Sequence, residues 1–306
     1  MLSENSILRR IPPQLDRQQN VFLDGIRHAA EIASLAYNRL TDTLTQLALT
    51  QNAGLKLPQD QITSAFLDAW AFVDEVDRFR SLVQLMPGMK LVGRTDGRPG
   101  FIEISESVRA LRNVADHLGQ RVEYVIANEG TALGCLKWLT VLDAEQGIFL
   151  SAILLAGTLR SNTKAVLTPI GRTFRARTDH IHLESGAHSA SLSDVRAEMA
   201  ERVRSIEASL EKSVEDLGLT GEQAGTDMMM VVKIQAIPEP DQMDEREQYF
   251  GATVRLGSCF YGHCGSPSSA FENPNLILHT KPRTFRLAHI LVRTGLVRSR
   301  DCSETT

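Results

Sequence analysis

The chain has 306 residues, 42% of them apolar and 23% charged, and a formal net charge of −4. Those proportions match soluble globular proteins and exclude wholesale disorder, a collagen-like chain and a membrane bundle. The mildly acidic balance removes any global attraction to nucleic acid, so a polyanion would have to be held by a local patch.

The first residues, Met1 to Pro13, mix Glu4, Arg9 and Arg10 with two prolines where the apolar core of a secretory signal would lie, so none is expected. The longest apolar stretch, Gly147 to Leu159, falls short of the roughly 20 residues that a spanning helix needs and reads as a strand or core segment. No membrane contact is expected. Cys135, Cys259, Cys264 and Cys302 lack the dense spacing of a disulfide-stapled secreted domain, which points to a reducing cytoplasm.

Three helical patterns fill the first 130 residues. In the first, Ile26, Ala30, Ala33, Tyr37, Leu40, Leu44 and Leu47 step by alternating fours and threes, which keeps one stripe facing a partner. The second runs Ile62, Phe66, Ala69, Val73, Val76, Phe79 and Val83 and stops at Pro87-Gly88. The third, Ile104, Val108, Leu111, Ala115, Leu118, Val122 and Val125, is entered through an arginine- and glycine-rich loop from Gly93 to Gly100. Matching stripes joined by short loops predict a bundle.

Beyond Gly134 the period shortens. Gly147 to Thr158, Lys164 to Pro169, Phe174 to Glu184 and Ala187 to Leu192 read as strands of a small antiparallel meander. Ser193-Asp194 then offers a cap for a last helix whose stripe is Val195, Met199, Val203, Ile206, Leu210, Val214 and Leu217. From Gly218 onward no period is sustained. The expected fold is therefore mainly α: residues 15–217 form a helical bundle with a β insertion at about 147–193, and residues 218–306 a weakly ordered extension.

One segment carries a chemical signal. Leu111-Arg112-Asn113-Val114-Ala115-Asp116-His117-Leu118 contains Arg-x4-His with a polar residue after the arginine. On a continuous helix turning about 100° per residue, the core stripe centres on Leu111 and Ala115. Arg112, Asn113, Asp116 and His117 fan over the opposite arc with Arg109, so His117 is not expected in the core. Arg112 and Asp116 at i, i+4 would also form an ordinary surface ion pair. Four other pairs share this arginine-to-histidine spacing, Arg175/His180, Arg177/His182, Arg175/His182 and Arg283/His289, but they fall in strand-like or tail sequence.

Over residues 20–130 the sequence resembles the HEPN superfamily of helical-bundle proteins, whose nucleases carry Arg-x4–6-His in a late helix. The resemblance implies metal-independent cleavage of RNA at a homodimer interface, with Arg112 and His117 as catalytic residues and Asn113 in the polar position; Asp116 and Arg109 would support them. It implies no cofactor and no metal. A histidine can take a proton from a ribose 2′-OH or give one to the leaving oxygen, and an arginine offers planar donors to the charge that builds on phosphate. The acidic and aromatic second helix, Ala69 to Arg80, fits the same bundle. RNA would meet the Arg109/Arg112 face or the basic stretch 281–300. The other reading left open is a non-catalytic helical protein that uses the same bundle for dimerisation or a partner.

Two metal readings are weaker. His180, His182 and Glu184 share a strand face with His188 close behind, and Cys259-x3-His263-Cys264 could be joined by Cys302 or His279. The first set lacks a second half, and the second has an awkward spacing for tetrahedral closure. Glycine-rich phosphate loops, the nucleophile-elbow motif and the zincin motif are absent from the sequence.

Overall fold

In a computed structural model, the structure describes residues 1–12, 14–87, 99–128, 130–157, 166–218, 227 and 229, and the backbone of three short strands beyond. The chain divides into two compact units, residues 1–226 and 227–306. The first is mainly helical with one small antiparallel sheet before its last helix, as the sequence pattern predicts.

After a short 3-10 turn at Ile7–Arg9, α1 runs Arg17–Asn52 and α2 Gln59–Leu85. Asp16 caps α1 by accepting the amides of Gln18 and Gln19, a device worth about 1 kcal/mol. The predicted stripes meet: Ala30, Ala33, Leu40 and Leu44 of α1 lie fully buried against Phe66, Phe72 and Phe79 of α2. Gly25 permits the close approach, since a Cβ there would sit 2.9 Å from Leu82 Cδ1.

The third helix is not continuous. It is divided into α3 (Phe101–Ile104), α4 (Glu106–Asp116) and α5 (Leu118–Ala127). His117 leaves the helical region at φ −112° and ψ 24°, and Arg121 inside α5 is also non-helical. Gly119 weakens the helix at this point by about 1 kcal/mol relative to alanine. What turns α5 aside is Tyr124: its hydroxyl accepts the Ala187 amide at 3.1 Å. Its ring also lies 2.4 Å from where a Cβ of Gly186, at φ +56°, would be. The predicted apolar stripe is lost with the break, and Val122 is exposed where a straight helix would have buried it.

The sheet has strand order β2-β1-β3-β4, all antiparallel, from β1 (Cys135–Asp143), β2 (Ile148–Leu155), β3 (Thr178–Ser185) and β4 (His188–Ser191). It starts ahead of the expected 147, because β1 lacks the apolar-polar alternation of a half-buried strand: Cys135 to Thr140 are all buried, as befits a central strand covered on both faces. Val166 to Pro169 forms no strand, and Phe174 to Arg177 precedes β3 as an irregular arm. Leu136, Trp138, Ile181 and Leu183 face the helices and join their core.

Helix α6 (Leu192–Asp216) closes the unit with Leu192, Val195, Met199, Val203 and Ile206 buried. Its cap is Ser191, whose hydroxyl accepts the Asp194 amide; the expected cap, Ser193, is buried inside the first turn and used otherwise. In the second unit, β5 (Lys233–Ile237), β6 (Phe250–Arg255) and β7 (Ile277–Thr280) pair as an antiparallel sheet in sequence order. Cys259, His263, Cys264, Cys302, the stretch 281–300 and most of the loop 93–100 lie outside the described residues.

Candidate functional site

Helix α4 lies beside α2, and the motif arginine points into that seam. Arg112 Nη1 donates to Asp77 Oδ2 at 2.5 Å, while its Nε pairs with Asp74 Oδ1 at 3.2 Å and with Asp116 Oδ2 at 3.5 Å. Asp74 and Asp77 sit at i, i+3 on α2, so both carboxylates reach the same guanidinium. Asp77 is largely buried, its side chain 10% exposed, and that of Arg112 is 39% exposed. The hydrogen bond that Arg112 donates to Asp77 above all raises the Arg112 pKa further, helped by all three carboxylates and opposed by burial. Burial pushes the Asp74 carboxyl above its usual range, against the pull of Arg112. One turn along the same seam, Arg80 pairs with Glu106, and Glu75 meets Arg78 at 3.0 Å.

His117 lies at the helix break, exposed, and among the described residues no hydrogen bond engages its ring. Arg109 and Asn113 are exposed on α4, about two turns and one turn before it. The structure therefore brings Arg112 together with Asp116 and with two carboxylates of α2. It leaves Arg109, Asn113 and His117 on the solvent side.

Residues Leu118, Val122, Val125, Ile126, Thr131 and Ala132 line an open groove of about 270 Å³ next to His117. Val122 and Ile126 are 47% and 55% exposed, and Leu133 is also exposed nearby. The indole N–H of Trp70 donates to the Leu133 carbonyl at 3.1 Å, tying this loop to α2.

A second polar cluster, on β3, was only half visible in the sequence. His180 is buried, and His182 and Glu184 are half-buried. Lys137 Nζ meets Glu184 Oε1 at 2.6 Å. Asp179 accepts the Arg175 amide at 2.8 Å and the His180 amide at 2.7 Å; burial is the largest single influence on its carboxyl and raises it, but these bonds with Ser193 and Arg175 together outweigh burial and hold the carboxyl below the usual range. Ser193 accepts the Ile181 amide at 2.9 Å and lies 2.8 Å from the Tyr37 hydroxyl. Among the described residues no group of three or more His, Cys, Asp or Glu is arranged to hold a metal ion.

Burial, and next the charge of Arg172, lower the His182 pKa. The folded state thus disfavours the proton that the unfolded chain would bind near the ordinary value of about 6.5. Stability is complete above that value and falls as the pH drops towards the lower folded-state value. Melting curves between pH 8 and pH 5 should show this fall, and His182→Gln should flatten it.

Among the described residues, no helix is long and apolar enough to cross a membrane. The chain matches no family model, no curated protein and no solved structure.

Proposed function

We propose that the protein is a HEPN-like helical-bundle protein that serves as a non-catalytic dimerisation module. The observation that carries this reading is the Arg112 cage. Three carboxylates surround one guanidinium, so Asp74, Asp77 and Asp116 together outweigh its charge by two. Such a cluster engages Nη1, and its excess negative charge repels a phosphate that would approach the guanidinium. The exposed strip of Val122 and Ile126, beside a groove and flanked by Leu133, gives a second copy an apolar face to cover.

The second reading, a metal-independent endoribonuclease acting as a homodimer, is favoured by His117, which stands exposed with its ring unengaged next to that same strip. RNA would then meet the Arg109 side of α4, and Arg112 would have to leave its cage. Incubating the protein and its His117→Ala variant with mixed RNA in EDTA, alongside sedimentation analysis, separates the two. The module reading expects no cleavage by either protein, and a dimer that becomes a monomer on Ile126→Glu. Cleavage by the wild type that disappears in His117→Ala establishes the nuclease and overturns the module.

A further inference from the structure

The apolar period of the third helix does not stop where the helix breaks. Val108, Leu111, Ala115, Leu118, Val122 and Val125 keep their steps of three and four straight through His117, and residues 101–127 contain no proline. The sequence thus encodes one continuous helix, whereas the structure holds two, with non-helical backbone at His117 and again at Arg121. The helix restarts through a tight turn in which the Gln120 amide bonds to the His117 carbonyl at 2.9 Å. The break leaves Val122 and Ile126 exposed, and no side chain of α5 belongs to the core that the other helices share.

What fastens α5 to the sheet is small. Among the described residues, its one side-chain hydrogen bond to the sheet is the one that the Tyr124 hydroxyl accepts from the Ala187 amide. The Tyr124 ring rests on the turn between β3 and β4, where Gly186 leaves it room, with the His188 ring 6.4 Å away and inclined at 39°. Ala187 is exposed, so water can take its amide when the tyrosine leaves, and release strands no buried donor. The Gly130 amide bonds to the Val125 carbonyl at 2.8 Å, and Asn128 Nδ2 to the Tyr124 carbonyl at 2.8 Å, both within the turn that directly follows α5. Residues 128–134, which lead into β1, can span about 23 Å when extended, enough for the end of α5 to move.

We propose that Tyr124 is a latch: seated on the β3–β4 turn it holds α5 aside, and unseated it lets α4 and α5 run on as one straight helix. Straightening exchanges the turn at His117 for regular helical bonds across the break and returns Leu118 and Val122 to the line of Leu111 and Ala115. The hydroxyl bond and the ring contact favour the seated state, and Gly119 lowers the resistance of the helix to breaking. The two states present different surfaces. The groove lined by Leu118, Val122, Ile126, Thr131 and Ala132 lies between α5 and the loop after it, so it exists only while Tyr124 is seated. The latch therefore sets whether the apolar face proposed for a second copy is present, and this last consequence alone rests on the dimerisation reading.

Distances between two spin labels read the angle directly. Labels attached through ketone-bearing residues at the exposed positions 109 and 127 stand about five turns and about 27 Å apart along one face of a straight helix, and any bend shortens that distance. Labelled protein is diluted into an excess of unlabelled protein, so that only distances within one chain are read. The wild type should give a main distance clearly shorter than about 27 Å. Tyr124→Ala, which removes the latch and installs the best helix former, should move most of the population to the full length. Tyr124→Phe keeps the ring without the bond and should show both distances; circular dichroism verifies that each variant is folded, and Tyr124→Phe decides if Tyr124→Ala is not. Distributions unchanged in the folded variants, a broadening that never reaches full length, or a wild type already straight overturns the proposal. Sedimentation separates it from the dimerisation reading: a wild-type dimer that Tyr124→Ala converts to a monomer supports both, whereas a wild-type monomer with the expected distances overturns that reading and leaves the latch standing.

Discussion

Arg112→Ala is expected to destabilise the first unit by about 3 kcal/mol, although the side chain is partly exposed and belongs to a polar motif. Breaking a buried ion pair costs about 3–5 kcal/mol because the remaining partner keeps a desolvated charge. Asp77 is such a partner, and Asp74 and Asp116 would repel it without the guanidinium between them. Solvent reaching Arg112 moderates the loss, which is why the lower end is expected. Chemical denaturation measures it. Asp77→Asn should restore about half of the loss in the double variant, because it removes the buried charge that the single variant strands. A loss below 0.5 kcal/mol would mean that the cage contributes little to folding, and would return Arg112 to the role that its motif suggests.

Phe79→Ala should cost more, about 4 kcal/mol, within the range for truncating a fully buried phenylalanine. Phe79 is inaccessible and meets Phe101 edge to face, ring centroids 5.2 Å apart at 90°. The deletion therefore leaves a cavity between α2 and α3, at the point where the chain enters α4. Denaturant midpoints measure the loss. A cost under 2 kcal/mol would show that α3 collapses into the space, with Arg112 then shifting relative to Asp77.

Helices α1, α2 and α6 were legible in the sequence because each buries one stripe against a single core, so period alone reveals them. Strand β1 was not, since burial on both faces erases alternation: Leu136, Lys137, Trp138 and Leu139 are all inside. The break at His117 left no local mark beyond Gly119, because its cause is a tyrosine docking on a hairpin about 60 residues further on. For the same reason the sequence could place Arg112 on a polar arc but could not show what lay across from it. Asp74 and Asp77 belong to another helix, and only the packing of α2 on α4 turns three separate aspartates into one cage. The resemblance identified the residues, while their roles depend on this packing.

The hydrogen bond between Ser6 and Glu207 joins positions 201 residues apart, and that between Tyr37 and Ser193 spans 156. On the ribosome, α1 and α2 emerge early and can meet through local contacts, but Trp138, Ile181 and Leu183 wait for Met199 and Val203 to cover them. Completion of the first unit is thus tied to the arrival of its last helix. Until α6 has been made, the growing chain carries an open apolar sheet face, the stage at which it depends most on protection from its neighbours.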